Sequence, residues 1–561
     1  MKLLLKSIFI FCCSAFTAHA QDSRIWATYQ GGFGNDGGFS VATDPAGNVF
    51  MAGITMSANA IGVAGFQNTF GGGVVDAYLL KCDSAGNRIW STYYGGSGDE
   101  MAFFGGKMGV AADNEGNVFL AGFTSSDTGM AQNGFQNTLG GTSVNGYLAK
   151  FNSIGNRLWA TYYGGASADK IYSVATDNDG NVYVAGTGYS QNLAYGGFQN
   201  TNNGLADALL VKFDPNGNRI WATYYGGSGT DEGYTVTVDD SFNVYLAGTT
   251  NSTANIAASG YQNFFSGGAS DAFLVKFDSS GARIWATYFG SSGDEMELFA
   301  GDIGLDADHA GNVYLAGLTT STTGISSNGF QNTYGGGSSD AFLVKFDPAG
   351  AMLWSTYYGG TDLDKGYSVS VDHVGDVFLA GRTDSYNAIS SGGFQNANNG
   401  PHEMFVAKFD PQGNRICATF FGGIDVDECN SVAADDFGGV YLGGNTTNQS
   451  LAWSGFQNSH GGGTSDGFLV KFTSCASATG VNEFNSSAAL AYPNPTPGKI
   501  KLLPAGLKGD INIFDASGNL IYKTVATGDE KAIDLSNCPK GIYCVVLSSG
   551  SNLRTEKIII E

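Results

Sequence analysis

The chain has 561 residues, a formal net charge of −23 and 14% charged residues, with 85 glycines and 10 prolines. Such a polyanion lacks the cationic footprint that nucleic acid or an anionic membrane surface requires. Glycine at this density would indicate disorder in an aperiodic chain, but here the glycines recur at fixed places, which assigns them to turns and strand ends.

Residues 1–20 read as a secretory signal peptide. Lys2 and Lys6 precede an apolar run ending near Phe16, and Ala18-His19-Ala20 has the small-x-small cleavage pattern, which predicts a mature start at Gln21. The run is too short to cross a membrane, and no later stretch qualifies as a transmembrane segment. Neither Cys12 nor Cys13 lies in a lipoprotein-type context. Removing Lys2 and Lys6 takes the formal charge to −25. Residues 480–561 balance eight acidic against eight basic residues, so residues 21–479 carry all of it.

Between residues 24 and 473 one unit is copied seven times. Its anchors are Trp26, Trp90, Trp159, Trp221, Trp285 and Trp354, with Cys417 in the seventh place; the steps are 64, 69, 62, 64, 69 and 63 residues. A near-fixed period of this length marks a repeat architecture. The recurrence of 64-69-62 as 64-69-63 suggests a duplicated three-copy block. Each copy holds four runs of strand chemistry: a (S-V-A-T-D), b (N-V-Y-V-A-G), c (D-A-F-L-V-K-F-D) and d (R-I-W-A-T-Y-Y). Two D-x-x-G-N turns, such as 177–181 and 214–218, suit a type I turn closed by a glycine at positive φ.

Seven four-stranded units predict an all-β, seven-bladed β-propeller over residues 21–473. The repeat begins on strand d, at 24–29, and its last copy ends after strand c, at Asp466–Thr473. The amino-terminal strand is therefore expected to complete the seventh blade, since otherwise two sheet edges stay open. In this layout the a–b and c–d turns share one face. The long b–c loops and the d–a loops share the other, so a functional site is expected on the loop face.

Every b–c loop carries G-[FY]-Q-N, with Phe66, Phe135, Phe198, Tyr261, Phe330, Phe394 and Phe456 as its aromatics. They read either as plugs that pin the loop, with Gln bonded to backbone, or as a ring that stacks on sugars. Acidic residues ahead of strand a also recur, at Asp36, Asp99, Asp169, Asp231, Asp294, Asp364 and Asp427, the spacing widened by insertions in copies two and five. If strand a lines the axis, they ring the channel mouth, where Ca²⁺ is the cation they would take; the other reading is turn formers and strand-entry caps. Strand c always carries a lysine, and six copies add an arginine before the anchor, which read together with template aspartates as ion pairs between blades. Departures from the template are few: His402 beside Glu403, Trp453 and His460, all in the last two b–c loops. A metal shared by His402 and His460 is one reading of them and solvated loop imidazoles the other. No H-E-x-x-H occurs and no catalytic constellation stands out, so an enzyme is unsupported, and Ca²⁺ is the cofactor the acidic ring raises.

Residues 474–490 break the repeat as a linker. Residues 491–561 then alternate like a small β-sandwich, with Cys538 and Cys544 spaced closely enough for a disulfide. Tyr492-Pro493-Asn494-Pro495, Asp515 with Gly518, Leu535, Gly541-Ile542-Tyr543 and Lys557-Ile558-Ile559 resemble the type A carboxy-terminal sorting domain of type IX secretion cargo. G-N-V-Y-V-A-G, D-A-F-L-V-K-F-D and W-A-T-Y-Y-G-G are similar to the marks of the SBBP β-propeller repeat family, with Phe242 for the turn glycine and Cys417 for tryptophan as departures. The first resemblance implies the type IX translocon as partner and a secreted or outer-membrane surface location. The second implies no shared activity. Together they predict a monomeric extracellular binding or adhesion scaffold, directed to a glycan or a surface protein. The competing readings are a glycan hydrolase or lyase using the loop face, and a purely structural surface component.

Overall fold

The computed structural model describes residues 23–100, 107–141, 143–295, 303–473, 491–492, 496, 498–502, 508–515, 520–527, 531–549 and 552–560. The signal peptide, the linker 474–490, and Pro493, Asn494 and Pro495 lie outside these residues. The chain divides into two compact units, residues 1–477 and 478–561.

The first unit is all-β and propeller-like. Its described residues form seven four-stranded antiparallel sheets. The first runs Asp36–Thr43, Val49–Thr55, Asp76–Cys82, Arg88–Tyr94, which are strands a to d in order. The seventh comprises Asp427–Ala434, Gly439–Thr446 and Asp466–Thr473, and its outer strand is Ser23–Gln30. That amino-terminal strand pairs antiparallel with Asp466–Thr473, Trp26 opposite Lys471 and Tyr29 opposite Phe468. Strand a of each sheet touches strand a of the next, and the seventh touches the first, so these strands form a cycle. They enclose a cavity of about 330 Å³ lined by strand a of all seven sheets. Strands b and c are buried along nearly their whole length, because each lies between neighbouring sheets. That is why they read as continuous apolar runs and not as alternating ones.

The turn chemistry is visible in the first a–b hairpin. Asp44 Oδ1 accepts from the backbone N–H of Ala46 and Asn48, and Asn48 Nδ2 donates to Asp44 Oδ2 (2.8 Å). This is an Asx turn, which spends the carboxylate on local backbone donors. At the corresponding place in the fourth sheet Phe242 holds φ +63° without a glycine.

Six of the seven tryptophans, the repeat anchors, each fasten one sheet to the next. Gly86, at φ +85°, leaves room that Trp26 fills; a methyl there would lie 2.7 Å from the indole. Trp26 Nε1–H also donates to Ser84 O (3.1 Å), and the other five anchors repeat the bond in the next sheet's c–d turn. Cys417 replaces the tryptophan that would face the seventh sheet's c–d turn. That sheet has no such turn, because its strand d comes from the other end of the chain. Cys417 is disulfide-bonded.

The strand c lysines form ion pairs within their own sheet, which corrects the expected pairing between sheets. Lys81 meets Asp44 (3.5 Å) and Lys345 meets Asp308 (3.7 Å); the other five follow suit. The register brings the lysine over its own a–b turn. Its link to the neighbour is a hydrogen bond to backbone, as from Lys81 Nζ to Ser153 O (3.4 Å).

The second unit has two sheets, one of three strands and one of four, the latter ordered Leu520–Thr527, Lys508–Asp515, Gly541–Ser549, Asn552–Ile560. Ile500, Leu502 and Ile533 from one and Ile511, Ile513, Val545 and Ile558 from the other share one core. Tyr543 is buried there and donates to Pro539 O (2.7 Å); Gly541 and Ile542 pair with Ile560 and Ile559, and Lys557 with Cys544. Tyr492 pairs with Lys501. Cys538 is a free thiol, so the expected bridge to Cys544 is not formed. The two stand on separate elements: Cys538 caps a turn by donating to Leu535 O (2.9 Å), whereas Cys544 sits within the four-stranded sheet.

Candidate functional site

The repeated aromatics lie on loops that fold back along strand d of their own sheet. Val63 pairs with Ser91 and Gln67 with Tyr93, so the loop covers an edge that would otherwise be bare. Six of the rings are between 37% and 48% exposed, and Phe456 is half-buried. An arginine from the next sheet lies over most of them: Arg157 over Phe66, Arg219 over Phe135, Arg283 over Phe198, Arg415 over Phe330, Arg24 over Phe394 and Arg88 over Phe456, at 4.4 to 5.4 Å from the centroid. Tyr261 has no such partner because Met352 stands where the arginine would be. Guanidinium–π contacts of this kind are worth roughly 0.5–1 kcal/mol each at partly exposed sites. The glutamines tie the same loops to the d–a turn, as where Gly95 N–H donates to Gln67 Oε1 (3.2 Å).

The expected acidic ring is shifted in two sheets. Asp36, Asp231, Asp364 and Asp427 begin strand a, Asp169 stands one residue before it, and all five are buried. In the second and fifth sheets Glu100 and Glu295 take that place, while Asp99 is exposed and Asp294 half-buried one residue earlier. The longer glutamate reaches the same partners: Thr124 donates to Glu100 Oε1 (2.7 Å), as Thr55 and Ser57 donate to Asp36. These carboxylates face hydroxyl and N–H donors inside the sheet junctions and do not ring an open mouth. Among the described residues no three acidic, histidine or cysteine side chains are grouped to hold a metal.

A second set of acids faces the first. The residue opening strand c is Asp76, Asn145, Asp207, Asp271, Asp340, Glu403 or Asp466, each buried. At Gly95, Gly226, Gly290, Gly359 and Gly422, each the first glycine of a d–a turn, this residue approaches the strand a acid of the next sheet. A methyl at Gly226 would lie 2.6 Å from Asp207 Oδ1 and 2.7 Å from Asp231 Oδ2, which explains the glycine there. Burial, reinforced by the facing carboxylate, pushes Asp340 and Glu403 up to about 7.

The asymmetric residues separate into two places. His402 Nδ1 lies 2.6 Å from Asp384 Oδ1, and its Nε2 lies 3.1 Å from Arg382 Nη2. Arg382 also donates to Glu428 Oε1 (3.1 Å). His460 is half-buried and lies edge-on to Tyr29, its Nε2 3.8 Å from Asp466 Oδ1, and desolvation lowers its pKa. The two imidazoles thus have different partners and share no site. Trp453 is 50% exposed, with Arg24 over its ring at 5.4 Å.

Beside Glu428 lies a cavity of about 420 Å³ between the seventh and first sheets, lined by Phe39, Ile54, Glu428, Asn445, Thr447 and Ser465 among others. It exists because Gly37 stands where other sheets carry Lys170, Glu232, Lys365 or Glu428; a methyl at Gly37 would lie 2.8 Å from Asn445 Oδ1. Asn445 Oδ1 is buried without a hydrogen-bond partner among the described residues. The pocket therefore offers two acceptors, a hydroxyl and an apolar wall at the junction where Gly37 stands. Sequence reading missed it because Gly37 resembles any other loop glycine.

Residues 490–561 match the secretion system C-terminal sorting domain, and 158–194, 220–256 and 353–387 match the SBBP beta-propeller repeat. The tail marks export by type IX secretion to the cell surface or extracellular space, and no described helix is long and apolar enough to cross a membrane. An uncharacterized WD repeat-containing protein, L264, of Acanthamoeba polyphaga mimivirus is 21% identical over 516 residues, covering 76% of this chain and 36% of the relative. The regulatory protein FlaEY of Caulobacter vibrioides is 29% identical over 137 residues, covering 24% of this chain and 14% of the relative. The chain thus spans about a third of the first relative and less of the second. A puromycin hydrolase structure overlaps 92% of this chain and 58% of its own at 9% identity and a TM-score of 0.40.

Proposed function

We propose that this chain, built of SBBP propeller repeats and exported through its type IX tail, is a closed seven-bladed propeller that binds a polyhydroxylated ligand, a glycan, at the cell surface. The cyclic contacts of strand a and the pairing of Ser23–Gln30 with Asp466–Thr473 support the closed wheel. One observation carries the binding role: where Gly37 leaves out the side chain that other sheets carry, a pocket of about 420 Å³ holds an acceptor, Asn445 Oδ1, that no described residue uses. Sugar hydroxyls would donate to Asn445 Oδ1 and Glu428, with a ring face against Phe39, the usual division between a few polar groups and an apolar wall. The pocket's carboxylates are already engaged, Asp36 by Gly32 N–H, Thr55 and Ser57 and Glu428 by Arg382, and Ser465 Oγ donates to Asp36 O, which favours binding over turnover. Glycan-array binding by the mature chain, lost in Asn445→Leu and weakened in Phe39→Ala, is the expected result. Depolymerisation of a bound glycan would replace this reading with the hydrolase or lyase one, and unchanged binding by both variants would move the site elsewhere.

A further inference from the structure

We infer that the carboxyls opening strand c hold a proton shared with the strand a acid of the next sheet, so that the wheel folds as a proton-binding assembly with up to six such junctions. The pairs are built alike, with both members buried: Asp76 faces Glu100, Asp207 faces Asp231, Asp271 faces Glu295 and Asp340 faces Asp364. At Gly359 a methyl would lie 2.6 Å from Asp340 Oδ1 and 2.8 Å from Asp364 Oδ2. Like charges held so close in a buried site cannot both ionise without a large penalty.

Three observations favour a proton over a cation. The strand a acids are filled by donors, as Asp364 is by Gly360 N–H (2.7 Å), Ser385 Oγ (2.9 Å) and Thr383, and a cation would repel these. The strand c acids keep one oxygen, Oδ1 of Asp76, Asp207, Asp271 and Asp340, buried with no partner among the described residues, which is the oxygen a carboxyl proton would occupy. At the remaining junction the chain itself supplies the neutral isostere. Asn145 takes the corresponding place, accepts from Gly140 N–H (2.6 Å) as Asp340 accepts from Gly335 N–H (2.6 Å), and donates from Nδ2 to the carbonyl of Gly165 (3.1 Å), whose N–H donates to Asp169 Oδ2 (2.7 Å). An amide has the shape of a protonated carboxyl and cannot carry its charge.

The groups around the Asp340–Asp364 pair are Gln331, which donates to Asp340 Oδ2 (3.3 Å), with Tyr334, Tyr357 and Asp384 within electrostatic reach. None is a cation that would stabilise two negative charges. At the junction of Asp466 with Asp36 the imidazole of His460 adds a third titrating group, so that pair is a poor choice for the test.

Burial raises Asp340 from 3.8 to about 7 and Asp364 to about 6. A proton held more tightly by the folded than by the unfolded state stabilises the fold at low pH, and this contribution is lost as pH climbs from about 4 to about 7. Each retained proton changes the folding constant by up to tenfold per pH unit in that window. The test is urea unfolding of the mature chain, followed by tryptophan fluorescence at pH values from 5 to 8, with Asp340→Asn and Asn145→Asp beside the wild type. We expect wild-type stability to rise on acidification. Asp340→Asn should lower the pH slope by up to one proton, and Asn145→Asp should raise it by up to one. Histidine titration is common to all three and cancels. If Asp340→Asn does not fold, Asn145→Asp decides alone. A slope that Asn145→Asp leaves unchanged overturns the inference, as does a wild-type midpoint that falls with EDTA and is restored by Ca²⁺.

Discussion

Replacing Trp26 by alanine probes how the amino-terminal strand is held. The indole is 1% exposed, rests on Gly86 of the first sheet and donates to Ser84 O. Losing a buried tryptophan costs about 3–5 kcal/mol, and its hydrogen bond adds about 1 kcal/mol. Trp221 makes the same contacts, with Gly281 and Ser279 O, from a strand covalently continuous with its own sheet. Trp221→Ala should therefore lower the global unfolding midpoint by the full amount. In Trp26→Ala part of the loss can be escaped by local opening of Ser23–Gln30, which is joined to its sheet only through Asp466–Thr473. Hydrogen exchange should show the amides of residues 26–30 opening on the order of 10²–10³-fold more often than in wild type, with residues 219–225 little changed. Uniform exchange across both strands in Trp26→Ala would refute the idea that this strand is a separable closure.

Lys81→Met leaves Asp44 buried without its cation and should cost about 3–5 kcal/mol, most of it recovered in the double variant with Asp44→Asn; urea midpoints decide. Phe242→Gly removes a non-glycine residue from φ +63° and should gain about 1 kcal/mol, less whatever the half-buried ring contributes, as read from the melting temperature. Truncation after residue 477 should leave the propeller's melting temperature unchanged and abolish appearance of the protein outside the cell, checked by fractionation.

The phase of the repeat made the strand order legible, because starting on strand d and ending on strand c leaves one pairing for Ser23–Gln30. The lysines were legible as ion-paired but not as paired within a sheet, since the relevant contact depends on which turn the register brings beneath strand c. Glu100 and Glu295 were missed because Asp99 and Asp294 preserve the residue type while the fold preserves the reach to Thr124 and Thr319. The strand c acids were hidden in D-A-F-L-V-K-F, where an initial aspartate looks like an ordinary strand boundary; only the three-dimensional approach above Gly226 and Gly359 reveals a facing pair. The pocket at Asn445 depends on a missing side chain at Gly37, a signal that composition dilutes among 85 glycines.

Within the repeat, the strand that comes earliest in the sequence, Ser23–Gln30, is the one that can be placed last. Thr28 bonds to Gln457, 429 positions further along the chain, so its partner exists only when nearly the whole repeat has emerged, and bringing such distant segments together is slow. Until then Asp466–Thr473 presents a naked template that a neighbouring molecule's leading strand fits equally well. Crowding of nascent chains before export would thus divert material into strand-exchanged dimers, and dilution at that moment favours the self-contained ring.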